Sequence, residues 1–192
     1  MPKVTHVKKA RKEFKTTEDG VQIKKGDSYY WWKFRMGGYR TSSISPRPQQ
    51  LTQSGYKISI MDINDTINNI TPDDSLQSQI EDIVSELQNI MDEQQERLDS
   101  MPEQLQESSS SGEMLRERID NLESAISELE GIDTEVEITE EDIDENDITH
   151  IRTDKKLTDN EKQEKIDELI EDKKQERYEE ILNEIQNLSL DY

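Results

Sequence analysis

The stretch Ser28-Tyr29-Tyr30-Trp31-Trp32-Lys33-Phe34-Arg35-Met36-Gly37-Gly38-Tyr39-Arg40-Thr41 sets the character of the N-terminal region. Gly26-Asp27 ahead of it is a turn signal, and Gly37-Gly38 reads as a hairpin turn. Aromatic residues fit a pleated, half-buried surface, so Ser28 to Met36 is predicted as a strand with Tyr39-Arg40-Thr41 returning beside it. Successive side chains on a strand point to opposite faces. One face then collects Tyr30, Trp32, Phe34 and Met36, the makings of a small core. The other collects Tyr29, Trp31, Lys33 and Arg35, rings followed by cations. Such a face suits stacking on bases or sugars while the cations hold phosphates. It equally suits a plainer arrangement, with Lys33 and Arg35 in solvent and Trp31 packed under their alkyl stems.

Outward from this hairpin, the charge tips the balance. His6-Val7-Lys8-Lys9-Ala10-Arg11-Lys12 places four cations within five positions, and Lys24, Lys25 and Arg40 add to them. Alone, the first cluster reads as a solvated terminus. Beside the rings it reads as a phosphate-contacting arm, because each cation that neutralises a phosphate releases condensed counterions. Residues 1–60 carry 13 Lys and Arg against four acids, a net of +9; residues 61–192 carry 11 against 41, a net of −30. The chain is electrically bipartite.

The order of turn, strand with alternating aromatic and basic residues, Gly-Gly and returning strand over residues 20–45 resembles the arm-binding domain of phage integrases. That resemblance implies a small three-stranded sheet that reads DNA. The segment Lys24-Lys25-Gly26-Asp27-Ser28-Tyr29-Tyr30-Trp31-Trp32-Lys33-Phe34-Arg35, followed by Gly37-Gly38 and Leu51-Thr52-Gln53-Ser54, also resembles uncharacterised small proteins of bacteriophages and prophages. It implies a viral context and carries over no functional residue.

Beyond the sheet, Ser45-Pro46-Arg47-Pro48-Gln49-Gln50 is expected to be an extended, polyproline-like spacer. Residues 61–71 are expected to be a linker. Thr71-Pro72-Asp73-Asp74 reads as a helix start, with Thr as N-cap, Pro at the first helical position and acids against the positive dipole end. Ile80, Val84, Leu87, Met91, Gln94, Leu98, Met101 and Leu105 then recur at steps of four and three, a heptad seam with one polar member. Pro102 should kink or end that helix. Ser110-Ser111-Gly112-Glu113 reads as a capping box for a second helix carrying Leu115, Ile119, Leu122, Ile126 and Leu129. Together, residues 72–130 are predicted as an antiparallel helical hairpin whose seam is core, a homodimer interface or the seat of a host or phage protein. Residues 131–157 are expected to be an acidic linker or edge strand. Thr158-Asp159-Asn160-Glu161 is another capping box, opening a long C-terminal helix across 158–192 with a wholly polar middle from Glu171 to Arg177. The expected fold class is therefore α+β.

Composition bounds the function. The chain has 192 residues, of which Leu, Ile, Val and Phe number 13, 21, 5 and 2, too few for one large core. No apolar run approaches the ~18 residues of a membrane span, and no signal peptide is read at the start. Zero cysteines exclude disulfides and thiolate chemistry and fit the reducing cytoplasm of a host cell. His6 and His150 make neither a triad nor a zinc site. Asp142, Asp144 and Asn146 match the first ligands of a calcium loop, but Asp147 takes its glycine position and Thr153 its bidentate glutamate position. No catalytic residue, cofactor or designed metal site is expected. The expected function is a phage-type, non-enzymatic nucleic-acid-binding or adaptor protein, contacting DNA or RNA through the cations and rings above. The alternative is an acidic nucleic-acid mimic that occupies a host defence protein.

Overall fold

The computed structural model describes residues 1–73, 75–188 and 190. The chain divides into two compact units, residues 1–62 and residues from 63 onward. The fold is α+β: five short strands precede six α-helices among the described residues.

In the N-terminal unit, β1 (Thr5–Val7), β4 (Tyr29–Lys33) and β5 (Tyr39–Ser42) form an antiparallel sheet in the order β1-β4-β5. A separate ribbon pairs β2 (Phe14–Lys15) with β3 (Gln22–Ile23). The central strand is shorter than the sequence suggests. Pairing ends at Lys33 opposite Tyr39, which leaves residues 34–38 as a five-residue loop. A two-residue hairpin turn needs positive φ at its first central residue or at both, and among the described residues only Gly20 and Gly26 have it. Gly37-Gly38 therefore does not make the tight turn. A tight turn would pair Met36 with Tyr39; the observed register differs by an odd number of residues, which exchanges the faces of β5. Met36, expected in the core, is exposed, and Phe34 lies half-buried beyond the strand.

Trp32 is fully buried, and its indole Nε1 donates to the carbonyl of Gln50 at 3.2 Å. That carbonyl belongs to a 3₁₀ turn, Pro48–Leu51, where an extended spacer was expected. Pro48 opens the turn, and the Gln50 side chain accepts from the Arg47 N–H at 2.9 Å. Around residue 41 the unit is knotted by polar contacts. Thr17 and Glu18 donate their backbone N–H groups to the Thr41 carbonyl, both at 3.1 Å, and occupy the outer edge of β5. Asp19 accepts from Thr16, from Ser42 Oγ at 3.2 Å and from the Ser43 N–H at 2.8 Å.

The expected linker at 61–71 is largely helix: α1 runs Gly55–Asn68, and the division between units falls within it. Tyr56, Ile60, Ile63 and Ile67 repeat at four-three spacing and are all buried. The polar residues between them, such as Asn64 and Asp65, hide this stripe from a composition-based reading.

The helical unit is built on α2 (Leu76–Asp99) and α4 (Ser110–Glu130), joined through α3 (Glu103–Ser108). Ile80 shares a cleft with Leu129, and Gln94 meets Arg118, so the two long helices run antiparallel. α2 starts later than the Thr71 reading. Asp73 accepts from the N–H of Ser75 at 2.8 Å and its carbonyl from the N–H of Leu76, making a turn that delays the helix. Asp74 lies outside the described residues. The buried face is wider than a two-position seam, since Ile83 and Ile90 are buried along with Ile80, Leu87, Gln94 and Leu98. Met91 and Ile119 are only half-buried, and Leu105 is exposed.

α2 gives way ahead of Pro102, which sits at the N-cap of α3. The cap of α4 is Ser109 rather than Ser110, with Ser109 Oγ accepting from the Gly112 N–H at 3.0 Å. Gly112 is required there: a Cβ on it would lie 2.2 Å from the Gln106 carbonyl oxygen. Residues 131–157, expected as an acidic linker or edge strand, hold a 3₁₀ turn (Glu140–Asp142) and α5 (Glu145–Thr153), whose N-cap Asp144 accepts from the Asn146 N–H at 2.8 Å. α6 (Asp159–Gln186) is the long C-terminal helix, opened by the reciprocal Thr158–Glu161 box. It buries Ile166 near its start and Tyr178, Ile181 and Ile185 near its end. No described helix is long and apolar enough to cross a membrane.

Candidate functional site

The register of the N-terminal sheet sorts its side chains into two faces. His6, Tyr30, Trp32, Arg40 and Ser42 share one. His6 stacks on Tyr30 there, with ring centroids 4.5 Å apart. The opposite face carries Thr5 and Val7 from β1, Tyr29, Trp31 and Lys33 from β4, and Tyr39 and Thr41 from β5.

On this second face the rings form a row. Phe14, from the ribbon, meets Tyr29 edge-on at 4.9 Å. Tyr29 and Trp31 are two residues apart on β4, a spacing of about 6.8 Å along the strand. Trp31 lies 5.3 Å from Tyr39, and Lys33 Nζ sits 5.1 Å over the Tyr39 ring. Tyr39 is 62% exposed, while Phe14, Tyr29 and Trp31 are half-buried.

The Tyr29 end of the row opens into a cleft of about 520 Å³ lined by Val7, Lys9, Arg11, Lys12, Phe14 and Tyr29. Two backbone hydrogen bonds anchor this basic segment. Ala10, itself buried, donates to the Asp27 carbonyl at 2.7 Å and accepts from the Gly26 N–H at 2.9 Å. Gly26 makes that contact at φ +101°, a conformation that L side chains rarely adopt. The Lys24 N–H donates to Asp27 Oδ2 at 2.8 Å, closing the turn. The fold thereby docks the Lys8–Lys12 segment against the Lys24-Lys25 turn. Among the described residues, Lys8, Lys9, Arg11, Lys12, Lys24, Lys25, Lys33 and Arg35 are in no ion pair; all eight are exposed, and Lys33 lies over Tyr39.

Two of the residues expected at this site lie elsewhere. Arg40 stands across from Trp32, on the face away from Trp31, and pairs with Glu18 at 3.3 Å. Arg35 lies in the 34–38 loop, beyond the paired strand. Phe14 and Tyr39 were missed. Tyr39 belongs to the row only because the loop has five residues, and Phe14 has no neighbouring strand pattern to announce it.

Asp19 is the strongly perturbed group of this unit. Burial opposes its ionisation, yet hydrogen bonds from Ser43, Thr16 and Ser42 outweigh it and hold the carboxyl far below the usual carboxylate range. Its partners Ser42 and Ser43 lie at the end of β5, and Thr16 follows β2, so its role is to tie the ribbon to the sheet.

The helical residues expected at a partner interface are instead packed within one chain. Ile80, Val84, Leu87, Leu98, Leu115, Leu122, Ile126 and Leu129 are buried, and Met91 and Ile119 half-buried. The apolar stripe that motivated a dimer is consumed by the intrachain hairpin. Its polar member, Gln94, is fully buried and accepts from Arg118 Nη1 at 3.4 Å. Among the described residues no three His, Cys, Asp or Glu side chains gather so as to hold a metal ion.

Comparison of the chain with protein-family models, with curated proteins and with solved structures finds no match. What this face does must therefore follow from its own residues.

Proposed function

We propose that the chain is a non-enzymatic nucleic-acid-binding adaptor, with the ring-bearing face of its N-terminal unit contacting DNA or RNA and its acidic helices engaging a protein. The observation that carries this reading is the row Phe14, Tyr29, Trp31 and Tyr39 with unpaired cations at both ends. Rings supply sequence-tolerant stacking and cations supply phosphate affinity. The unit up to Asp62 carries 13 Lys and Arg against five acids, a net of +8, and the remainder a net of −29. The resemblance to small phage proteins suits a role in the cytoplasm of a host cell.

Electrophoretic and anisotropy titration of the whole chain with labelled DNA and RNA at low salt tests the reading, alongside identification of co-purifying proteins. Binding that weakens as salt rises, and that is lost when Lys9, Arg11 and Lys12 are changed together to Ala, supports it. No binding to either polymer overturns it, and recovery of a nucleic-acid-binding host protein in that case favours the mimic, in which the helical carboxylates imitate phosphates.

A further inference from the structure

A duplex hides the faces of its bases. Its base pairs follow one another at about 3.4 Å, leaving no room for an intervening ring. Tyr29 and Trp31 project from the same side of β4 at about twice that spacing. Tyr39, beside Trp31 on the neighbouring strand, continues the row with most of its surface open to solvent. Rings so placed can each take one base only if the bases are already apart. The cations sit at the two ends of the row, Lys9, Arg11 and Lys12 in the cleft beside Tyr29 and Lys33 beyond Trp31, where the backbone of a strand lying along β4 enters and leaves. The five residues of β4 span about 17 Å, enough for about three splayed nucleotides.

We infer that the ligand is single-stranded nucleic acid, DNA or RNA, laid along β4 with bases on Tyr29, Trp31 and Tyr39 and its backbone held at the Lys9–Arg11–Lys12 cleft and at Lys33. This rests on the nucleic-acid reading above and narrows it. The two tryptophans make the inference measurable. Trp31 stands on the proposed face, whereas Trp32 has no solvent exposure and is tied to Gln50.

The test uses the full chain with oligothymidylate and oligouridylate of about twelve nucleotides, within the site sizes of single-strand binders, and a blunt duplex of two annealed strands of similar length. The single strands should bind about tenfold or more tighter than the duplex and quench tryptophan emission. Trp31→Ala should lose about tenfold or more on the single strands, within the effect of removing one stacked ring, with little change on the duplex. Trp31→Phe keeps a ring and should retain most of the affinity while abolishing the quench. Circular dichroism and residual Trp32 emission check that each variant is folded. The ratio of the two single-strand affinities tells DNA from RNA, and preference for either sustains the inference. Equal binding of duplex and single strand, with folded Trp31→Ala unchanged, overturns the single-strand inference and leaves nucleic-acid binding standing. No binding of any of the three overturns both.

Discussion

Trp31 and Trp32 are adjacent in sequence, yet one has no solvent exposure and the other lies half-open on the far side of the same strand; in the helical unit, adjacent Ile83 and Val84 are both buried. The contrast extends across the units. The N-terminal sheet is held largely by hydrogen bonds among Thr16, Thr17, Asp19, Thr41, Ser42 and Ser43, around a core that includes Ala10, Ile23 and Trp32. The helical unit turns its Leu and Ile side chains inward, and among its described large apolar residues only Leu105 and Met114 are exposed. The charged groups it shows to solvent are mostly carboxylates. Among the described residues, spare aromatic surface lies in the N-terminal unit, and the proposed stacking is assigned there.

The largest effect expected is a core deletion in the helical unit. Leu87 is fully buried between α2 and α4, so Leu87→Ala should cost about 2–5 kcal/mol there. Both tryptophans belong to the other unit, so their emission should hold through the melting of the helical signal. Coincident loss of helix and tryptophan signals would break the separation between units. Gly112→Ala comes next. Its Cβ would collide with the backbone carbonyl of Gln106, and overpacking of this kind costs about 1–3 kcal/mol, read as an earlier denaturant midpoint.

Acid should weaken the N-terminal unit through one carboxyl, Asp19. The Asp19 carboxyl is held below the usual carboxylate range, so its stabilisation is fully present above that range and is lost as pH falls through and beneath it. Tryptophan-detected stability should accordingly decline in acid, and Asp19→Asn should be less stable at neutral pH and flatter in its pH dependence. Glu161 and Asp142, held down by backbone and side-chain donors of Thr158 and Thr139, lose their capping bonds only below the usual range. An Asp19→Asn variant whose pH profile matches that of the wild type would remove this role.

Much of this architecture is legible in the sequence because local rules and tertiary packing agree. The Thr158–Glu161 box and the Leu115–Leu129 stripe are examples. Where they part, the cause is a choice that local chemistry leaves open. Ile83 and Val84, like Ile90 and Met91, are neighbouring apolar positions, and which lies deeper depends on the facing helix. Ser109 and Ser110 are equally good caps until the Gly112 N–H selects one. The hairpin loop mattered most for the candidate site. Gly37-Gly38 suggests a tight turn, and only the observed backbone reveals the five-residue loop that brings Tyr39 onto the Trp31 face and takes Arg40 off it.

That exchange gives the smallest effect and the sharpest test of the face assignment. A cation that contacts a phosphate of a single strand adds about 0.7 to the slope of log affinity against log salt. Lys12 lines the cleft beside Tyr29 and is in no ion pair among the described residues, so Lys12→Ala should flatten the slope by about that amount. Arg40 is on the opposite face and bound to Glu18, so Arg40→Ala should leave the slope unchanged. The intact chain also carries a net −29 beyond Asp62, tethered acids that compete with phosphates for the same cations, so the wild-type slope should fall below about 0.7 per cation at the site. Slopes from anisotropy titrations over a salt series decide this. If Arg40→Ala flattens the slope as much as Lys12→Ala, the ligand lies across the Trp32 face and the aromatic row is not its seat.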